Sequence, residues 1–261
     1  MPTPRALNGL LYSGGKLMRP DHRAHAEMRP LEIIPNFISS AEGSALIRLG
    51  DTQVICTASV DDGVPAFQKG SGRGWITSEY AMIPRATSSR TPRESTRGRQ
   101  SGRTMEIQRL IGRSLRAVVD MEALGERTVW LDCDVIRADG GTRTASVTGS
   151  LVALGLAMQK LQVQRALKTI PLKDYLAAIS VGIVGEEMLL DLSYAEDSCA
   201  EVDMNVVMTG GGNLVETQAT AEGRTFSVED LNKLIELSRP AIHRLIGVQK
   251  SILKLPLPAQ A

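Results

Sequence analysis

The sequence predicts an α+β fold, a single domain with two similar halves. Three observations carry that expectation. Strand-like segments are grouped in the first and second halves, and each group is followed by helical periodicity. The 261 residues are 43% hydrophobic, enough for one large core or two modest ones. No apolar run approaches the roughly 18 residues that span a bilayer, which excludes a membrane protein. No convincing internal repeat accompanies the two halves.

In chain order, residues 1–18 carry Arg5 and Lys16 without an acid and lack an adequate apolar stretch for a targeting signal. They read as a disordered extension, or as a misassigned start with Met18 as the initiator, leaving 19–261 as the folded unit. Ala45 to Leu49 and Gln53 to Val60 alternate around Gly50-Asp51 and predict a hairpin. Trp75 to Ile83 predicts a strand, and Pro84 to Gly102 a long polar loop of the kind that usually serves function. Thr104 to Glu122 predicts a helix with Ile107, Leu110, Ile111, Leu115, Val118 and Val119 inward and Arg109, Arg113 and Arg116 on one face.

Val129 to Ile136 predicts a strand and Ala145 to Gln162 a buried helix of small residues. Tyr175 to Val184, Met188 to Leu192, Ala200 to Met208 and Leu214 to Thr220 predict four more strands, with Gly185-Glu186 and Gly210-Gly211-Gly212 as turns. Ser227 is an N-cap candidate for the last helix, which Pro240 should kink or divide. Cys56, Cys133 and Cys199 match no zinc spacing and suggest buried thiols in a reducing compartment, hence a cytoplasmic protein.

Three patterns carry chemistry. Between the Val129 to Ile136 strand and the small-residue helix lies Asp139-Gly140-Gly141-Thr142-Arg143-Thr144. Its glycines allow close backbone approach, the helix start offers unpaired N–H groups, and Arg143 supplies a fork for phosphate. The alternative is an ordinary strand-to-helix turn capped by Thr142 or Thr144. From Arg85 to Arg116 run Arg85, Arg90, Arg93, Arg97, Arg99, Arg103, Arg109, Arg113 and Arg116 against Glu94 and Glu106, in a chain of net charge +1. A focused all-arginine block in a near-neutral chain fits a polyanion better than a solvated face does. In Glu201-Val202-Asp203-Met204-Asn205 the acids alternate with apolar residues, and Asp197 precedes them. Glu201 and Asp203 on one strand face, with Asp197 in the preceding loop, could hold Mg²⁺ through one or two direct oxygens plus water, or the stretch could be a solvent-facing sheet edge. Together the patterns describe a site for two phosphates. The few histidines and the lack of a Ser or Cys nucleophile motif argue against a histidine-based hydrolase; His243 reads as structural.

Several of these stretches resemble the ribonuclease PH family: Ser101 to Arg113, Asp132-Cys133-Asp134-Val135, Asp139 to Ala145, and Glu201 to Met208. The resemblance runs from Arg19-Pro20-Asp21 to about Gln249. It implies a ribosomal protein S5 domain 2-like fold and a ring of six subunits (a trimer of dimers). It also implies phosphorolytic 3′→5′ trimming of transfer-RNA precursors, reversible as nucleotide addition. By matching motif, Arg103, Gly141, Thr142 and Arg143 would bind inorganic phosphate, and Asp197 and Asp203 would serve metal and catalysis. Arg85, Arg90 and Arg93 would engage RNA or support ring assembly, with Arg109 counted among the RNA-binding arginines. The chain departs from the family pattern at His22, where Gly is usual in Arg-x-Asp-Gly-Arg, and at Ala219, where Gly is usual after Gln218. A hydrolytic exoribonuclease and a non-catalytic RNA-binding ring subunit are the rival readings.

Overall fold

The computed structural model describes residues 11–13, 16–222 and 225–255. Within the segment expected to be a disordered extension, β1 (Leu11–Ser13) and β2 (Lys16–Met18) pair as an antiparallel hairpin. The rest of that expectation, including residues 1–10, lies outside the described residues.

The first sheet comprises β3 (Leu31–Pro35), β4 (Gly43–Leu49), β5 (Thr52–Asp62), β6 (Trp75–Met82) and β7 (Arg127–Arg137). They are ordered β3-β4-β5-β7-β6, with only β6 parallel to its neighbour. The Gly50-Asp51 hairpin forms as expected, with Leu49 opposite Thr52. Along β7, Val129, Leu131, Cys133 and Val135 are buried, while Trp130, Asp132 and Asp134 turn to the other face. This is the alternation of a sheet with one dry and one wet face.

Between β6 and β7 lie α1 (Gly102–Ala117) and α2 (Met121–Leu124), where the sequence predicted one helix from Thr104 to Glu122. The chain breaks at Val118–Asp120 because the backbone there pairs elsewhere. Lys173 N donates to Val118 O at 2.8 Å, Asp120 N to Pro171 O at 2.8 Å, and the Asp120 carboxylate caps α2 by accepting from Glu122 N and Ala123 N. Local capping and tertiary pairing thus outweigh helical periodicity.

After β7 comes α3 (Thr142–Val163), followed by β8 (Leu176–Val184), β9 (Glu187–Leu190), α4 (Tyr194–Asp197), β10 (Val202–Thr209), β11 (Leu214–Ala221) and α5 (Val228–Leu253). The second sheet runs β11-β10-β8-β9, antiparallel throughout. α3 packs against β4 and β5 of the first sheet and β8 of the second, so it is apolar or small on almost every side. Small residues set the closeness of that contact: a Cβ on Gly43 would lie 2.1 Å from Ala153 O. α5 covers β8 and β10 and remains one helix through Pro240, correcting the expected division. Its Ser227 cap and the buried Leu234, Ile242, Leu245 and Ile246 hold both sides of the proline. No helix is long and apolar enough to cross a membrane among the described residues.

Candidate active site

The β7–α3 turn is the centre of the site. Gly140 and Gly141 both take left-handed backbone angles, φ 73° and 65°, and Gly141 is the N-cap of α3. This turns the first N–H groups of α3 outward at the end of a 22-residue helix, where the dipole favours an anion. The Thr144 hydroxyl donates to Gly141 O at 2.9 Å and pins the cap. Thr142 is buried, and its hydroxyl meets the Tyr80 hydroxyl at 2.9 Å, so its side chain is already engaged within the fold. The N-cap position itself falls to Gly141 and not to either threonine.

Arg143 is aimed by two acceptors. Its Nη1 donates to Gln218 Oε1 on β11 at 2.9 Å and to Glu106 Oε1 on α1 at 3.2 Å. Arg103, in the first turn of α1, is exposed and close enough to Asp197, Asp203 and Tyr80 to favour their ionised forms. Ser101 starts α1 by accepting from Thr104 N at 3.2 Å, which fixes where Arg103 leaves the helix.

Asp203 lies on β10, which is flanked by β8 and β11, so it belongs to an inner strand and not to a solvent-facing edge. Asp197 ends α4, with its carboxyl beside that of Asp203. Burial and then the neighbouring Asp197 carboxylate push Asp203 up to about 6. Burial also raises Asp197, opposed by Arg103 and Arg143. The pair titrates as a unit, and one of its charges is relieved by a proton or a cation. A cleft of about 450 Å³ opens between α1, α3, β10 and β11, lined by Glu106, Arg143, Asp203, Asn205 and Gln218 among others.

A larger cavity, about 820 Å³, lies between the 91–101 segment and the outer face of β6 and β7. Arg103 lines it beside Arg93, Arg99, Glu79, Asp132 and Asp134. The smaller cleft brings Arg143, in the first turn of α3, beside Asp203, whose neighbour in turn is Asp197.

The remaining arginines divide. Arg85, Arg90 and Arg93 lie exposed in the loop between β6 and α1, which contains one short 3₁₀ turn at Glu94–Arg97. Arg109 is exposed on the α1 stripe between Glu106 and Arg113. Arg113 binds Glu216 of β11, and Arg116 lies 4.5 Å from the Trp75 ring centre and donates to Ile76 O. Arg109, Arg113 and Arg116 keep their helical spacing within α1, but Arg113 is engaged by Glu216 and Arg116 by Trp75 and Ile76. Sequence reasoning missed Glu106, Gln218 and Tyr80, since no motif marks a residue whose role is to aim another. His22, at φ 62°, adopts the backbone that the family's glycine would allow.

A cleft of this kind handles phosphate esters: an anion-binding helix start and two arginines beside carboxyls that are costly to ionise together. Residues 27–158 match domain 1 and residues 174–240 match domain 2 of the 3′ exoribonuclease family. The chain belongs to that family. It is 61% identical over 242 residues to ribonuclease PH of Bacillus subtilis, covering 92% of this chain and 99% of the relative. Ribonuclease PH of Bacillus velezensis is 60% identical with the same coverage. The fold is the ribosomal protein S5 domain 2-like fold of exosome subunits. An Archaeoglobus fulgidus exosome chain, from a structure with RNA bound to the active site, superposes with TM-score 0.74 at 26% identity, covering 88% of this chain and 92% of that one. A chain of an archaeal exosome core, at 24% identity, gives TM-score 0.70 over 91% and 92%.

Proposed function

We propose that this chain is a phosphorolytic 3′→5′ exoribonuclease that trims transfer-RNA precursors and other RNA 3′ ends. The observation that carries the reading is that Asp203, in a cleft it shares with Arg143 of the first α3 turn, has Asp197 and Arg103 as its other charged neighbours. Such positive capacity exceeds what one scissile phosphodiester requires and suits a second, free phosphate held beside it. Inorganic phosphate rests on the N–H groups following Gly141 and on Arg143 and Arg103. One of its oxygens attacks the terminal phosphorus, the bond to the preceding 3′ oxygen breaks, and a nucleoside 5′-diphosphate leaves. The 3′ oxygen takes a proton, and the reverse reaction adds nucleotides.

Asp197 and Asp203 fit a hard divalent cation, because two half-buried carboxyls that resist joint ionisation gain from a shared positive charge. Mg²⁺ held there would neutralise charge on the phosphoryl oxygens. With or without it, the pair keeps negative charge opposite the arginines and so fixes their direction. Arg85, Arg90, Arg93 and Arg109 would guide the RNA backbone. The exosome likeness favours a ring, which we take to be six copies, with residues 19–261 as the working unit in the cytoplasm. A non-catalytic ring subunit is disfavoured because both the phosphate arginines and the acids are in place.

The test is product identity. Incubated with RNA and Mg²⁺ in phosphate-free buffer, the protein should be nearly inactive; added phosphate should release nucleoside diphosphates. Monophosphate release without phosphate would make it a hydrolase.

A further inference from the structure

We infer that Arg29, paired with Asp191, is a positioning residue that fixes the phosphate-binding corner against the turn bearing Asp197; this rests on the phosphorolytic reading. The Arg29 side chain is 3% exposed and that of Asp191 0%. Its Nε and Nη2 meet the two Asp191 oxygens at 3.0 and 2.7 Å, and the Arg29 backbone N–H adds a third bond to the same carboxylate at 2.8 Å. The other edge of the guanidinium donates through Nη1 to Asp139 O, with Gly140 O 3.5 Å from Nη2. One planar group thus grips both the residues just before Gly141 and the residue that opens the path to α4.

Those two segments already touch. Tyr194 N donates to Asp139 Oδ1 at 3.2 Å, and a Cβ on Gly140 would fall 2.4 Å from Leu192 O. From the other side of α4, Arg19 binds Glu196, the neighbour of Asp197, at 2.6 and 2.9 Å, and also donates to Asp191 O at 3.0 Å. Buried ion pairs are weak contributors to net stability, so a linked set of them beneath a reactive cleft is better explained by geometry than by folding free energy. Reactivity is sensitive to such geometry, since a misplacement of about 1 Å can cost on the order of 100-fold in rate. Lysine could keep the charge but not the fork.

The test is Arg29→Lys measured beside the parent. Expected are a phosphate KM raised by about tenfold or more and a kcat lowered by about tenfold, with RNA affinity in phosphate-free buffer within about twofold of the parent. The rise in Tm that phosphate gives the parent should shrink in the variant, a readout that a purely structural role would not move. A folded Arg29→Lys protein with parental KM, kcat and phosphate-induced Tm shift would overturn the inference. If Arg29→Lys does not fold, Thr52→Val replaces it. The Thr52 hydroxyl donates to Gly140 O at 2.6 Å and accepts from Asp139 N at 2.9 Å, steadying the same corner. A phosphate KM raised about threefold supports the inference, and an unchanged KM overturns it. Should the parent degrade RNA without phosphate, the phosphorolytic reading fails separately. Arg29 is then judged on turnover alone, a parental value overturning its role.

Discussion

Two groups of carboxylates on inner strands look alike in sequence and differ in use. Asp132-x-Asp134 on β7 and Glu201-x-Asp203 at β10 both alternate with apolar residues. Burial raises the pKa of Asp132, Asp134 and Asp203, and a neighbouring acid adds to it for Asp132 and Asp203. Around Asp132 and Asp134 are Glu79, the Thr57 hydroxyl and Arg93, with Arg99 and Arg103 lining the same cavity. Around Asp203 stand Asp197, Arg143 and Arg103, beside the start of α3. Arginines stand near both groups; what sets Asp203 apart is the first turn of α3, which brings Arg143 into the same cleft.

The largest expected contrast is between Asp203→Asn and Asp132→Asn. The first should lower kcat on the order of 10³-fold with little change in RNA affinity, and the second should stay within about twofold. Equal losses in steady-state kinetics would erase the distinction. Stability should move the other way. The folded state holds the Asp203 proton more tightly than the unfolded chain, so its contribution is full at low pH and is lost as pH rises through about 6. Asp203→Asn should therefore melt higher than the parent at pH 7, by about 2–5 °C in a calorimetric scan.

Next in size is Arg143→Ala, which removes a charge-assisted fork from the phosphate corner and should raise phosphate KM about 30- to 100-fold. Removing Gln218, which aims that fork, should cost less; a Gln218→Ala loss as large as that of Arg143→Ala would shift the emphasis from charge to direction. Proton and cation compete for the acidic pair, so the Mg²⁺ concentration giving half-maximal rate should rise toward tenfold per pH unit below about 6 and level off above it. A Mg²⁺ requirement independent of pH would leave the proton, and not the metal, as the pair's working partner. Smallest is the change for Arg90→Ala with Arg93→Ala. RNA affinity should fall about tenfold and the salt slope flatten by about 0.7 per lost contact, read by titration at several salt concentrations.

The elements that sequence revealed were those with a local cause. Gly50-Asp51 demanded a hairpin, Ser227 a helix start, and Gly140-Gly141 a turn that no bulkier residue makes easily. Asp203 could be placed on the right strand face from alternation alone, though only pairing on both sides made that strand an inner one. What escaped was decided over long range. The interruption after Ala117 comes from the 171–173 backbone, and the aim of Arg143 from Glu106 and Gln218. Arg113 and Arg116 read as part of one arginine block until Glu216 and Trp75 claimed them.

Arg19 and Glu196 are 177 residues apart along the chain, and Arg29 and Asp191 are 162 apart. On a ribosome the arginines emerge early and their acids only near the end of synthesis. Until Asp191 to Asp197 are out of the exit tunnel, the two guanidinium groups lack their carboxylate partners. The long loops must then close in one late step, when most of the first sheet can already exist. The arginine-rich loop between β6 and α1 therefore emerges well before the contacts that join Arg19 and Arg29 to the 191–196 segment can form.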